Sequence, residues 1–441
     1  MTSLRGSRDT ARRVSRGAPG GIANPARPSG AYRGLAPLEP GRGGFHPGLG
    51  ARRERRGRLR GLARRAFARR SPLRHMDWIL LAAVLALSLV GTLLVWSATQ
   101  PSLISSGQDP RTYLMKQLLN IALGLVFMVV VAFLDYRQLR LYAPFVYVAS
   151  CIGQLVGLTP LGSIVNGAHS WISLPGGFQI EPSEYAKLSV ILISAILLGE
   201  LRHGEKRPRM RAVAIALAVA AVPLVLVVAE PDLGVVMLML ALVVGMVALS
   251  GIRLIWVGSG LAAGALALVA VVNLHLLKSY QASRLTAFLH PSADPRGTGY
   301  SAAQSKIAIG SGGLFGQGLF HGQLVGGNFV PEQHTDFIFA VAGEELGFVG
   351  CAVIIALLAL VLLRTLRIAA RADDQFGMLV AAGVAIWFGV QAFINVGMTM
   401  GIMPVTGLPL PFVSYGGSAM FADMIAVGCL QAVYRHHTVF S

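Results

Sequence analysis

The chain has 441 residues, 54% of them hydrophobic and 13% charged, with a mean hydropathy of +0.62. Soluble domains carry roughly 25% charged residues, so this balance excludes an ordinary soluble enzyme or binding module. The formal net charge of +18 sits at one end: residues 1–75 hold 19 of the 38 Lys and Arg, all Arg, against three acids, which leaves 19 basic and 17 acidic residues, a net of +2, elsewhere.

Residues 1–75 are rich in Arg, Gly, Pro and Ala and show no apolar periodicity. Such a segment cannot bury enough surface to offset its ordering entropy, so a disordered cytoplasmic tail is expected. It lacks the short apolar core of a secretory signal. Its runs Arg52-Arg53-Glu54-Arg55-Arg56, Arg64-Arg65 and Arg69-Arg70 abut the first apolar stretch. There they would rest on anionic lipid and hold the N-terminus in the cytoplasm; no nucleic-acid partner is expected. A start at Met76 is the alternative reading of this tail.

From Trp78 onward, long apolar runs alternate with short polar breaks. Lipid leaves every backbone group to be satisfied within its own segment, so such runs read as membrane helices. Ten spans are predicted, at 78–98, 114–134, 142–158, 183–198, 212–228, 233–249, 254–277, 337–363, 376–400 and 420–434. The expected fold is thus all-α: a polytopic membrane domain over 76–441 with a large extracytoplasmic loop, 278–335, between helices 7 and 8. Charge supports the count. With the N-terminus inside, the inner segments hold 12 basic residues, from Arg137 and Arg140 to Arg435, whereas segments 160–182, 229–232 and 401–419 hold none. That bias places both termini in the cytoplasm of a multi-pass cytoplasmic-membrane protein. Cys151, Cys351 and Cys429 lie in apolar runs with no CxxC or Cys/His spacing, so neither a metal site nor a disulfide is expected.

Polar residues gather in a few places. Asn166–Ile172 reads as a loop, followed by a helix start at Glu181-Pro182-Ser183-Glu184-Tyr185-Ala186-Lys187. Glu184 and Lys187 are three apart and can pair; ionisable groups inside a span need a partner or a cavity. Glu230-Pro231-Asp232 is expected to be a solvated turn between spans.

The loop 278–335 is long for an unstructured connection, and its aromatic and aliphatic content argues that it is built. Gln304–Ile309 is a candidate short amphipathic helix. Gly310–Gly318 superficially matches a phosphate loop, but no strand precedes it and there is no Walker lysine; close backbone packing is the preferred reading. The loop closes on Val330-Pro331-Glu332-Gln333-His334-Thr335-Asp336-Phe337, and a helix begins at once. Asp336 is therefore expected at a helix N-terminus with Thr335 as its cap. A cap explains one acid but not the group Glu332, His334 and Asp336, which marks a candidate site. Glu344 and Glu345 lie about 12 Å further along that helix, at ~1.5 Å per residue, and need partners there. The Pro/Gly-interrupted stretch Met403–Ser418 reads as a broken segment lining a groove, tolerated only where protein or water satisfies its backbone.

In this order, Asn166–Ile172, Glu181–Lys187, Glu230–Gly234, Gln304–Gly318, Pro331–Gly347 and Pro404–Ser418 resemble the SEDS family (shape, elongation, division and sporulation) over about 77–434. Gln304–Gly313 and Val405–Pro411 are most similar to its cell-elongation branch, RodA, rather than the division branch, FtsW. The resemblance implies a peptidoglycan glycosyltransferase that polymerises lipid II on the outer face of the cytoplasmic membrane. It also implies a class B penicillin-binding protein, a transpeptidase, as partner. The family's essential acid carries over to Asp336, and its Pro-Ser-Glu-x-x-Lys pair to Glu184 and Lys187. Ser170 stands where many relatives have Arg, Glu230 where Gln or Lys is common, and Asp423 has no family role.

The chemistry expected is general-base attack: Asp336 takes the proton of an acceptor sugar hydroxyl, which displaces a polyprenyl pyrophosphate with inversion. Lys187, Arg284 and Lys306 are candidate cations for that leaving group, with Glu332 and His334 as further substrate contacts. A divalent cation is a rival for the same role, with Asp336 as its ligand. The competing function is a flippase for the lipid-linked precursor; no internal repeat of the transporter kind is found.

Overall fold

The structure is a computed structural model describing residues 75–160, 162–165, 168–173, 179–200, 208–230, 232–253, 255–260 and 298–440, and positions 262, 264 and 288. The Arg-rich tail, most of the predicted span 254–277, Arg284, and Asn166 and Gly167 lie outside the described residues.

The helices are α1 (Trp78–Ser105), α2 (Thr112–Phe133), α3 (Tyr136–Gly157), α4 (Pro182–Gly199), α5 (Met210–Ala229) and α6 (Leu233–Leu249). After them come α7 (Thr298–Ser311), the short α8 (Gln323–Gly326), α9 (Ile338–Arg371), α10 (Gln375–Thr399) and α11 (Gly417–Phe440). Among the described residues, eight helices are long and apolar enough to cross a membrane, and α6 is a shorter apolar helix. Together they coincide with nine of the ten predicted spans. The protein is a multi-pass helical membrane protein.

The sequence reading contained no sheet. The structure adds a small antiparallel one, β1 (Gly162–Val165), β2 (Ala168–Ser173) and β3 (Gln179–Ile180), in the order β1-β2-β3. The expected loop at Asn166–Ile172 is mostly strand. Ser418 Oγ at the start of α11 donates to Gln179 O and accepts from Glu181 N, at 3.0 and 2.9 Å, so the sheet is tied to the bundle where α4 begins.

In α4, α10 and α11, 72% of the most apolar stretch is buried, against 28% in α2 and α5. The first three are therefore the inner helices, and the other two present leucines and valines outward, as lipid-facing surfaces do. α10 packs on α4, α6 and α9, while α11 packs on α2. Asp77 caps α1 by accepting from Leu80 N at 3.0 Å and also accepts from Arg364 of α9 at 2.7 Å. α9 thus runs past the predicted end at 363, because Arg364 is spent on an ion pair inside the fold.

α9 is broken at Gly347, whose φ of +68° and ψ of −164° are not helical. A helix break within a bundle strands carbonyls and amides that must be satisfied. The glycine-rich segment does so. Gln317 N and Gly318 N donate to Glu344 O and Glu345 O, while Phe348 N and Val349 N donate to Gly313 O and Leu314 O, all between 2.9 and 3.1 Å. A Cβ at Gly312 would stand 1.9 Å from Gly343 O, and one at Gly316 2.1 Å from Glu345 O. Close backbone packing, rather than phosphate binding, accounts for these glycines.

Candidate active site

The segment from 328 to 337 is a tight set of turns leading into α9. Asn328 and Glu332 adopt left-handed backbones, with φ of +53° and +49°, unusual for residues with side chains and often a mark of a functional site. Glu332 O accepts from the amides of Thr335, Asp336 and Phe337 at 3.1 to 3.3 Å, so this one carbonyl fixes the turn that carries Asp336. The expected cap is corrected: α9 starts at Ile338 after Phe337, and the Thr335 hydroxyl turns back to Glu332 O and Glu332 Oε2, at 3.2 and 3.3 Å. Asp336 therefore stands just ahead of the helix rather than in its first turn.

Asp336 is half-buried, and its Oδ2 lies 3.6 Å from where a Gly407 Cβ would be. It thus faces the Pro/Gly segment between α10 and α11. That segment is non-helical and largely buried, and side chains from around it satisfy its backbone. Asn395 Nδ2 donates to Leu408 O at 2.7 Å and to Asp336 O at 2.9 Å. Gln391 Nε2 donates to Pro409 O at 2.8 Å. Leu410 N donates to Ser414 Oγ at 2.8 Å, Phe412 N to Asp423 Oδ2 at 3.4 Å, and Tyr415 N to His334 O at 3.0 Å.

Beneath it lies the pair expected from the spacing: Lys187 Nζ is 2.6 Å from Glu184 Oε2, and both side chains are buried. The ammonium also donates to Gln391 Oε1 at 3.1 Å and lies 4.9 Å from the Trp387 ring centre. Gln391 and Asn395 are four apart and share a face of α10. Glu184, Lys187 and Gln391 thus form a buried polar group that ends on Pro409 O, and Asn395, one turn along α10, joins the neighbouring Leu408 O to the backbone of Asp336.

Residues 77–439 match the family model described as cell cycle protein, which covers FtsW, RodA and SpoVE. The chain belongs to the SEDS family. It is 41% identical over 369 residues to peptidoglycan glycosyltransferase MrdB of Escherichia coli strain K12, covering 83% of this chain and 95% of that protein. A chain of a peptidoglycan synthase complex, solved for its coordination of polymerization and crosslinking, superposes with a TM-score of 0.69 at 31% identity, covering 82% and 98%. The rod shape determining protein RodA of Thermus thermophilus superposes at 0.60 and 29%, covering 82% and 97%.

In this SEDS chain the other expected site residues are spread around Asp336. His334 packs edge-on against Tyr113, ring centres 5.1 Å apart, and is tilted against Tyr415 at 5.6 Å. Burial outweighs the attraction of Glu332 and lowers its pKa below the ordinary 6.5, so His334 is neutral at pH 7. Burial, then Tyr113, pushes the Tyr415 hydroxyl up to about 12. Lys306 on α7 is exposed, its Nζ 3.2 Å from a Cβ built at Gly401. α7 itself is longer than the predicted 304–309 and packs on α9 and α10. Lys187, by contrast, is enclosed by protein groups.

The expected solvated turn at Glu230–Asp232 is corrected. Glu230 is buried, and neither carboxylate oxygen has a partner among the described residues; burial, then Asp232, raises it to about 8. Asp232 caps α6 by accepting from Val235 N at 3.0 Å. Burial, then Glu184 and Asp232, likewise raises the carboxyl of Glu181. Glu344 has the partners it needed, accepting from Leu324 N and Val325 N at 2.7 and 3.0 Å, while Glu345 accepts from Ser97 Oγ at 2.5 Å through one of its two oxygens.

Sequence reasoning missed Gln391 and Asn395. Their signal was present as two amides one helical turn apart in an otherwise apolar span. Asp423, left without a role, holds the left-handed Phe412, whose φ is +63°. Among the described residues no three His, Cys, Asp or Glu side chains gather as a metal site. A magnesium-type ion shared with substrate phosphates takes only one or two protein carboxylates; Asp336 is the one that would hold it, and the ion would neutralise leaving-group charge.

Proposed function

We propose that this SEDS protein is a peptidoglycan glycosyltransferase of the cell-elongation type, polymerising lipid II at the outer face of the cytoplasmic membrane with Asp336 as general base. The observation that carries the reading is the placement of Asp336: a half-buried carboxylate on a turn braced from both sides, by Glu332 O at its amide and by Asn395 at its carbonyl.

The reaction moves one proton and one bond. Asp336 accepts the proton of the acceptor sugar's 4-hydroxyl, the oxygen attacks the donor's anomeric carbon, and that carbon's bond to the polyprenyl pyrophosphate breaks with inversion. A positioned base contributes roughly 10²–10⁴-fold, and orientation supplies much of the remainder. Glu184 and Lys187 support this geometry from beneath through Gln391, while Glu332 and His334 stand beside Asp336 where substrate passes. Lys306 and Arg284 are the cations assigned to the departing pyrophosphate. Both termini face the cytoplasm, and the Arg-rich tail, 1–75, rests on anionic lipid. A class B penicillin-binding protein is the partner that cross-links the product.

The test is glycan formation from lipid II by the purified chain with that partner. Wild type makes polymer and Asp336→Ala does not, although the complex still assembles. Polymer at the wild-type rate from Asp336→Ala overturns the assignment.

A further inference from the structure

Asp423 is the only acid in α11, an otherwise apolar span. It lies about 9 Å into the helix, counted from Gly417 at ~1.5 Å per residue, and it is buried. We propose that Asp423 is a positioning residue for the transfer reaction: it holds the apex of the Pro/Gly segment whose two arms flank the turn that carries Asp336. This rests on the polymerase reading and adds a residue to which the family resemblance gives no role.

An ionisable group inside a span is costly, and by default it marks a functional site. Stability does not explain this one. Among the described residues Asp423 makes no ion pair, and its Oδ1 has no hydrogen-bond donor. Glu184 and Lys187 act on it electrostatically. The Lys187 ammonium is already held by Glu184 at 2.6 Å, so the pair beneath the segment is balanced without Asp423. Replacing buried ionic groups with apolar ones of similar size is often neutral or stabilising, so a leucine would serve the packing as well.

The bond that Asp423 does make points to its task. Oδ2 accepts from the amide of Phe412 at 3.4 Å. Phe412 has a φ of +63°, which a bulky residue rarely adopts and which persists only where the surroundings impose it. A buried backbone N–H needs an acceptor, and Asp423 supplies one to this conformation. Around Phe412 the chain closes on itself. Leu410 O accepts from Val413 N and Ser414 N at 3.2 and 3.1 Å, and Leu410 N donates to Ser414 Oγ at 2.8 Å.

Two arms lead from that apex to Asp336. On the first, Gln391 holds Pro409 O and Asn395 holds Leu408 O, and Gly407 faces the Asp336 carboxylate. On the second, Tyr415 N donates to His334 O at 3.0 Å, within the turn that carries Asp336. A shift of the backbone at 412 therefore displaces both the surface that the carboxylate faces and the strand of chain that holds it. Asp423 reaches the reaction only through this backbone.

Three forms of the full chain, each in complex with the transpeptidase partner, test the role: wild type, Asp423→Asn and Asp423→Leu. Asn keeps an oxygen acceptor in place, whereas Leu keeps the volume and removes the acceptor. Initial rates against lipid II concentration and melting temperature in detergent are measured for each. Displacement of a reacting group by ~1 Å can cost about 10²-fold. Asp423→Leu should lower kcat about tenfold, with KM within about twofold of wild type and a melting temperature no lower. Asp423→Asn should keep kcat within about twofold of wild type. A wild-type kcat in Asp423→Leu overturns the proposal. So does a melting temperature that falls together with kcat, which marks a structural residue. An Asp423→Asn as slow as Asp423→Leu overturns it as well, because acceptance from Phe412 is then not the task. A raised KM at unchanged kcat does the same, in favour of a substrate contact. Wild type that makes no glycan from lipid II removes the polymerase reading itself, and this role with it.

Discussion

Asn395 Nδ2 donates to the backbone carbonyl of Asp336 at 2.9 Å, and the same nitrogen donates to Leu408 O at 2.7 Å. A single amide on α10 thus pins the turn that carries Asp336 to the segment that the carboxylate faces. Asn395→Leu is nearly isosteric but releases both carbonyls. Misplacement of a reacting group by ~1 Å can cost about 10²-fold, so kcat for polymer formation should fall 10- to 100-fold, by this order of magnitude, with KM little changed. The check is initial rate against lipid II concentration. A raised KM at unchanged kcat would show that Asn395 contacts substrate instead.

The Glu184–Lys187 pair predicts a non-additive stability pattern. Removing one partner leaves the other charge buried without compensation, which costs about 3–5 kcal/mol in comparable cases, whereas replacing both is often near neutral. Lys187→Met and Glu184→Gln should each lower the melting temperature in detergent. The double variant should recover most of the loss, a coupling that a double-mutant cycle reads directly.

Glycine is required at 316 and not at 310. A Cβ at Gly316 meets Glu345 O at 2.1 Å in a backbone with φ of +79°, whereas nothing lies within 4 Å of one at Gly310. Gly316→Ala should undock the loop from the break in α9, seen as faster hydrogen exchange at the amides of Gln317 and Gly318. Gly310→Ala should leave stability within about 0.5 kcal/mol of wild type. Equal protection of those amides in both variants would refute the docking role.

Glu230 gives a pH dependence. Its folded carboxyl is raised from an ordinary 4.5 to about 8, so the folded state keeps a proton that the unfolded chain releases. Its contribution to stability is complete below about pH 4.5 and is lost as pH rises to about 8. Glu230→Gln keeps the neutral shape, so variant and wild type should melt alike near pH 4.5 and the variant should melt higher at pH 8. A gap that does not widen between those pH values would count against a buried, protonated Glu230.

Several features were legible residue by residue. Long apolar runs located nine spans, because lipid-exposed backbone has no alternative to helix, although the ends of α1, α3, α9 and α11 lie six to eight residues beyond the predicted bounds. Three-residue spacing announced the Glu184–Lys187 pair. Close backbone packing, found at Gly312 and Gly316, was readable once a phosphate loop lacked its strand and lysine.

Other features were not. Thr335 looks like a cap in sequence, but its hydroxyl has a nearer acceptor in Glu332, a choice made by the turn. Glu230 beside a proline looks solvated, and only the packing around it shows that it is buried. The break at Gly347 was invisible because Glu344-Glu345-Leu346-Gly347 reads as continuous helix until the loop from 313 to 318 is laid against it.

The sequence by itself determined the membrane class and the helical spans, since both follow from local composition, and it marked the cluster of Glu332, His334 and Asp336 as a candidate site. Only the tertiary structure decided what holds Asp336 in place. The amides of Gln391 and Asn395, the carboxylate of Asp423 and the carbonyl of Glu332 act on backbone groups far away in the chain or within a tight turn. A buried polar group is specified by the partner it meets, and which partner it meets is fixed only when the helices pack.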